Sequence, residues 1–223
     1  MAQQIQTYSI SAPGFFGLNT QDSSLDLAQG FALVANNAVI DQYGRIGARK
    51  GWSKANSVTL AALGTASVQA IGQLVIDDGS EYVVCAGNNK LFILASSALT
   101  ELTYGGGGSA PVITANNWQI VSLNQVLYFF QEGHDPLIFD PVVSTTTFRR
   151  VSEKTGYSGT VPSANIALSA FGRLWVASTT TNKTVVSFSD LLGGFKWTAG
   201  TSGTLDVSTV WPAGSDTITG LAA

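Results

Sequence analysis

The sequence predicts an all-β fold, and three observations carry that reading. Charged residues are only 11% of the 223, against a usual share of ~25%, while glycine is frequent at 24 copies. That composition lacks the charged faces surface helices present to water, and it favours short strands joined by turns. After Trp52 the chain alternates apolar segments of about 4–8 residues with clusters of Gly, Asn, Asp and Ser. These segments also recur at a nearly constant spacing.

The elements follow in order. The one helical candidate is Asp22–Ala35, where Ser23 or Ser24 could cap a turn and Gly30 would interrupt it. Val68–Ile76 reads as a strand, Asp77-Asp78-Gly79-Ser80 as a hairpin turn, and Glu81–Ala86 as its return strand. Trp118–Leu123, the turn Asn124-Gln125 and Val126–Phe130 repeat the unit, and so do Asn165–Ala170, Phe171-Gly172-Arg173 and Leu174–Ala177. Tyr82, Leu127 and Leu174 are thereby 45 and 47 residues apart. Third strands follow at Lys90–Leu94, Pro136–Asp140 and Thr184–Ser189, with Leu91, Leu137 and Val186 spaced by 46 and 49 residues. Outer strands are expected at Leu99–Thr103, Phe148–Val151 and Phe195–Thr198. Arg149 and Arg150 would keep such an edge polar.

Four strands per ~40–50 residues is the arithmetic of a β-propeller blade. The expected fold is therefore β-propeller-like, with four-stranded blades of about 45 residues behind an irregular N-terminal arm; a β-sandwich with periodic hairpins is the alternative. The expected division is an arm over residues 1–60 and blades over 61–223, three of them plus the start of a fourth at Asp216–Ala222. Three blades fall short of the usual four to eight. The chain is thus expected to be the front part of something longer, or to have its ring completed by another polypeptide.

Composition narrows function. The net charge of −3 removes the simple basic patch of a nucleic-acid binder. Cys85 is the single cysteine and has no internal disulfide partner, which favours a cytosolic assembly site over secretion. The start Met1-Ala2-Gln3-Gln4-Ile5 has no basic or apolar signal region, and no apolar run has the length of a membrane span.

Catalytic groups are sparse. His134 is the only histidine and sits in a turn-like stretch, Glu132-Gly133-His134-Asp135-Pro136. One His and one Cys do not make a conventional zinc site, so no metal and no cofactor are expected. Gly105-Gly106-Gly107-Gly108 lacks the Gly-Lys-Ser/Thr ending of a phosphate loop and reads as a flexible connection between blades. Glu132 and Asp135 would act as a glycosidase pair only if the fold placed them so. No catalytic residue is assigned. Trp118, Trp175 and Trp197 are candidates for sugar-binding pockets, against core packing as the plainer role.

The arm carries a resemblance. Gly17-Leu18-Asn19-Thr20-Gln21-Asp22, then Ala35-Asn36-Asn37-Ala38-Val39-Ile40-Asp41, then Gly44-Arg45-Ile46-Gly47-Ala48-Arg49-Lys50-Gly51-Trp52 resembles the opening of the tail hub or nozzle proteins of short-tailed bacteriophages, the packaged-DNA stabilisation proteins included. Asn37-Ala38 stands where that family often has an aromatic. The resemblance implies a structural virion protein of the tail, assembled in the host cytoplasm. It implies a sixfold homo-oligomeric ring below the portal and adaptor, enclosing or closing the DNA exit channel and offering sites to tail fibres or spikes. Packaged DNA would pass without sequence-specific binding, an acidic wall repelling its phosphates. The expected assembly surface comprises Phe15, Phe16, Leu18, Asn19, Arg45, Arg49 and Trp52, the aromatics acting as anchors. A carbohydrate-binding propeller of adhesin or lectin type is the alternative, and a propeller enzyme the third.

Overall fold

The structure is a computed structural model that describes residues 15–51, 53, 62–95, 97–114, 117–210 and 216–223. The chain forms two compact units, Met1–Lys54 and Ala55–Ala223. It is all-β: the described residues contain no α-helix, only one 3-10 turn at Val151–Glu153.

In the first unit β1 (Gly17–Leu18) pairs in parallel with β2 (Phe31–Ala32), and β3 (Ala38–Ile40) pairs antiparallel with β4 (Ile46–Ala48). The helix expected over Asp22–Ala35 does not form. Asn19 explains part of this: its Oδ1 accepts the backbone N–H of Gln21 at 3.0 Å and of Asp22 at 3.3 Å. A side chain that bonds the backbone locally competes with helix formation. Gly30, at φ +96°, then turns the chain into β2.

The second unit is built from three sheets in chain order. The first contains β5 (Val68–Val75), β6 (Glu81–Gly87), β7 (Lys90–Ala95) and β8 (Ala98–Glu101), each antiparallel to the next. β9 (Thr103–Tyr104) follows. The second sheet contains β10 (Gln119–Leu123), β11 (Val126–Phe130), β12 (Leu137–Phe139) and β13 (Thr147–Arg150), again antiparallel. The third contains β14 (Ala164–Ala170), β15 (Arg173–Thr179), β16 (Val185–Phe188) and β17 (Gly203–Asp206). Turn chemistry explains the tight hairpins. Asn88-Asn89, Asn124-Gln125 and Phe171-Gly172 all hold positive φ at both central residues, the conformation that matches strand twist in a two-residue turn.

Two expected strands are corrected. The outer strand of the third sheet is Gly203–Asp206, not Phe195–Thr198. The alternation Phe195-Lys196-Trp197 resembles a strand, but Trp197 is buried in the core between the second and third sheets. Its Nε1–H donates to the Gly194 carbonyl at 3.0 Å, and Lys196 forms only an isolated parallel bridge with Ser158. Residues 216–223 form no strand either. The Ile218 N–H donates to the Lys183 carbonyl, a turn residue, and the Ile218 side chain packs against Ala177 and Val186 on the third sheet's far face.

One apolar cluster lies between the first and second sheets, around Leu74, Val84, Leu91, Leu127, Phe129 and Phe139. Another lies between the second and third, around Tyr128, Phe130, Ile138, Leu174, Val176 and Trp197. β11 supplies both, because successive side chains point to opposite faces; all five of its residues are buried. Gly72 sets the close approach of the first two sheets. A Cβ there would lie 2.4 Å from Ile120 Cγ2 and 3.2 Å from Leu127 Cδ2. Gly72→Val is expected to cost about 1–3 kcal/mol through overpacking, read as a lower urea midpoint.

The connections between sheets are also ordered. β9, leaving the first sheet, pairs in parallel with β13, the outer strand of the second. β13 is therefore covered at Thr147 and Phe148, and Arg149 and Arg150 lie just beyond the covered stretch. Polar ties join equivalent positions of neighbouring sheets. Gln125 Nε2 donates to Asp77 Oδ2 at 2.8 Å across 48 residues, and Asn117 bonds Asn165, also 48 apart.

Candidate functional site

In the N-terminal unit the residues of the two phrases hold turns. Asn19 closes the first, and its Nδ2 also donates to Asp22 Oδ2 at 2.7 Å. Asp41 closes the β3–β4 hairpin: its Oδ1 accepts the N–H of Tyr43 and of Arg45, both at 2.9 Å. Arg45 Nε reaches Asp41 Oδ2 at 2.9 Å, and its guanidinium lies 5.2 Å from the Tyr43 ring centroid. The Arg45 N–H, then that of Tyr43 and the guanidinium, hold the Asp41 carboxyl below its usual pKa. Gly44, at φ +72°, completes the turn and accepts the Phe15 N–H at 2.9 Å.

These turns display apolar side chains. Phe16 is 64% exposed and Leu18 56% exposed. Phe16 leans on Phe31, with ring centroids 5.7 Å apart. Phe15, Phe16, Ile40 and Tyr43 border a groove on this unit. Of the expected assembly residues, then, Phe15, Phe16 and Leu18 are exposed together. Asn19 has a turn to hold, and Arg45 is engaged by Asp41 and Tyr43. Arg49 is exposed, and Trp52 lies outside the described residues. Sequence reasoning missed Tyr43, Ile46, Val39 and Leu25, which are also exposed. The signal was present: a stretch this apolar with so few buried positions has nothing of its own to pack against.

The sparse chemistry of the second unit is paired off inside the fold. Glu132 bonds Lys183 and Asp135 bonds Arg150, so each carboxylate serves a different cation. His134 Nε2 lies 3.5 Å from Thr114 Oγ1. Burial pushes the Cys85 thiol up to about 11, which keeps it protonated and unreactive near neutrality. The three tryptophans pack inward. Trp197 is buried, Trp118 meets Phe129 edge-on at 6.3 Å, and Trp175 donates from Nε1 to the Ala170 carbonyl at 3.0 Å. No group of three or more His, Cys, Asp or Glu residues that could hold a metal occurs among the described residues. None of the described helices is long and apolar enough to cross a membrane.

The glycine run is a correction. Gly105–Gly108 is not a loose connection, because Glu153 fastens it. Glu153 Oε1 accepts the Tyr104 hydroxyl at 2.6 Å and the Gly107 N–H at 2.9 Å, and its Oε2 accepts the Arg150 N–H at 3.0 Å. A Cβ on Gly106 would lie 2.0 Å from Glu153 Oε2, so a larger residue there would have to push the carboxylate out of its place. Partial burial opposes ionisation of Glu153. The Tyr104 hydroxyl, the two backbone N–H groups and the Arg150 charge outweigh it, and its pKa falls below the usual value. A carboxylate lowered in the folded state contributes stability above its ordinary pKa and loses it as pH falls through the lowered one. Glu153→Ala is therefore expected to cost about 1–3 kcal/mol at pH 7. The gap from wild type should close in acid, as urea midpoints taken across pH would show.

No family model matches the chain, and no curated protein matches it.

Proposed function

We propose that this protein is a structural subunit of a short-tailed bacteriophage tail, a hub or nozzle component that assembles into a ring around the DNA exit channel. The observation that carries the reading is the N-terminal unit. Asn19 and Asp41 close two turns within the resembling phrases, and the ordered surface leaves Phe16, Leu18, Tyr43 and Ile46 in solvent. Phe15, Phe16, Ile40 and Tyr43 border one groove, and exposed apolar side chains grouped in this way mark a contact with another protein. In this reading the unit docks on a neighbouring subunit or on the portal and adaptor above it.

The three sheets fit the same proposal as consecutive blades of a propeller. Each is built on a four-stranded antiparallel meander, the second extended by the parallel strand β9, and ties such as Gln125 to Asp77 and Asn117 to Asn165 span one repeat. On the first sheet Ile71 is 68% exposed and Val75 55% exposed, on the face away from the second sheet. That face is where a further blade would pack. The low charge suits a wall along which DNA slides. The ring reading implies no catalytic step and no cofactor.

Electron microscopy of the purified protein, alone and mixed with the portal and adaptor of its phage, tests the proposal. A closed ring around a channel is the expected result. A monomer that stays single in both preparations overturns it.

A further inference from the structure

The second sheet carries a cavity of about 130 Å³ that the ring reading does not use. It lies between the end of β12, the β12–β13 turn and the chain after the 3-10 turn. Ile138, Asp140, Ser144, Thr147, Arg149 and Lys154 line it. Arg149 and Arg150 are neighbours on β13 and so point to opposite faces. Arg150 spends its donors on Asp135, Tyr104 and the Ser109 carbonyl. Arg149 faces the cavity, opposite Ile138 in the ladder, and is only partly exposed.

Arg149 differs from most of the half-buried cations, and unlike Lys196, whose ammonium lies 5.7 Å from the Phe195 ring centroid, it lines a cavity. Arg150, Arg173, Lys154 and Lys183 each donate to a named oxygen, whereas the Arg149 guanidinium has no hydrogen bond or ion pair among the described residues. A guanidinium drawn partly out of water without an acceptor is costly, and it stays charged at any ordinary pH. Lys154 does not change the balance, because Asp140 beside it neutralises it. One uncompensated positive charge therefore faces a small cavity with an apolar wall at Ile138 and hydroxyls at Ser144 and Thr147. The space suits several waters or one small anion.

We propose that this cavity binds an oxyanion, a phosphate or carboxylate group whose paired oxygens accept the planar fork of Arg149. Such bidentate pairs are the strong class of charge-assisted hydrogen bond. Ser144 and Thr147 supply further donors, and the carboxylate of Asp140, held by Lys154, limits the site to a group of low charge. The site draws on none of the residues of the N-terminal surface and stands apart from the ring proposal.

Calorimetric titration of the intact chain with inorganic phosphate and, separately, with acetate tests it, each against chloride at matched ionic strength. Saturable binding with a dissociation constant on the order of 1 mM is expected for at least one of them. R149Q should weaken it by about tenfold or more, and R149K, which keeps the charge but loses the fork, should fall between. Tighter binding of phosphate assigns the site to a phosphoryl group, and tighter binding of acetate assigns it to a carboxylate. Should R149Q not fold, the wild-type chain still gives the answer. The same anion should slow modification of Arg149 by phenylglyoxal, with exposed Arg45 as the internal reference. Absence of saturable binding by either anion, equal binding by a folded R149Q, or no protection of Arg149 overturns the proposal.

Discussion

Removing residues 1–52 is expected to abolish ring assembly while leaving the β-rich circular dichroism of the remaining chain intact. The two halves of that outcome rest on different observations. Among the described residues, the three core clusters of the second unit draw only on positions from Ala70 onward, so its sheets keep their packing. The exposed apolar side chains of the proposed docking surface, Phe16, Leu18, Tyr43 and Ile46, all leave with the deletion. Buried aromatic anchors commonly contribute about 2 kcal/mol or more each to an interface. Losing several together removes the association at working concentrations. Sedimentation velocity and microscopy of the truncated chain read the result. If it still forms the same ring, the N-terminal surface is not the assembly contact.

The largest expected effect on stability is Phe129→Ala. Phe129 lies at the centre of the two-sided strand β11, 1% exposed, with Trp118 against its edge at 6.3 Å. It is paired with Leu137 on one side and Ile120 on the other. Truncation leaves a cavity between two sheets whose backbones are already pinned, so the site cannot collapse. The expected cost is about 3–5 kcal/mol, a large part of the about 5–15 kcal/mol that holds a typical domain. A fall in the urea midpoint with the slope unchanged is the signature to look for. Phe171→Ala is the control. Phe171 stands 80% exposed at a hairpin tip, and its loss should stay within about 0.5 kcal/mol. Equal losses at the two sites would mean that the core is not where the structure places it.

Much of this architecture was legible before any coordinates. Val126–Phe130 matches β11 residue for residue, and the first three strands of each sheet lie within a few residues of their expected places. The cause is local: strand-forming runs end at Asn-Asn, Asn-Gln or Phe-Gly turns. What escaped depends on distant partners. Gly203-Thr204-Leu205-Asp206 is a poor strand on its own and becomes one only along β16. The order of the glycine run depends on Glu153, 46 residues beyond Gly107. Trp197 looked like a strand residue because its plugging role is set by a gap between two sheets. The candidate site divides in the same way. The apolar content of the arm could be read from the sequence, but that Asn19 and Asp41 are occupied by their turns could not. Arg149 and Arg150 look identical along the chain, and only the pleat separates a satisfied guanidinium from an idle one.

The parallel pairing of β9 with β13 has a consequence for how the second unit comes apart. Stacked repeats that touch only through side chains behave as a one-dimensional array, in which an end repeat can melt while the next survives. Here the chain leaving the first sheet is woven into the last strand of the second, with Thr103 set against Thr147. Backbone amides in β9 and β13 lose their partners if either sheet opens. Nearest-neighbour coupling between the first two sheets is raised accordingly, and they become one cooperative opening unit. Among the described residues no such strand pairing links the second and third sheets, which meet through the apolar cluster around Tyr128, Leu174 and Trp197 and through side-chain ties such as Glu132 with Lys183, so the third sheet is the piece expected to open first.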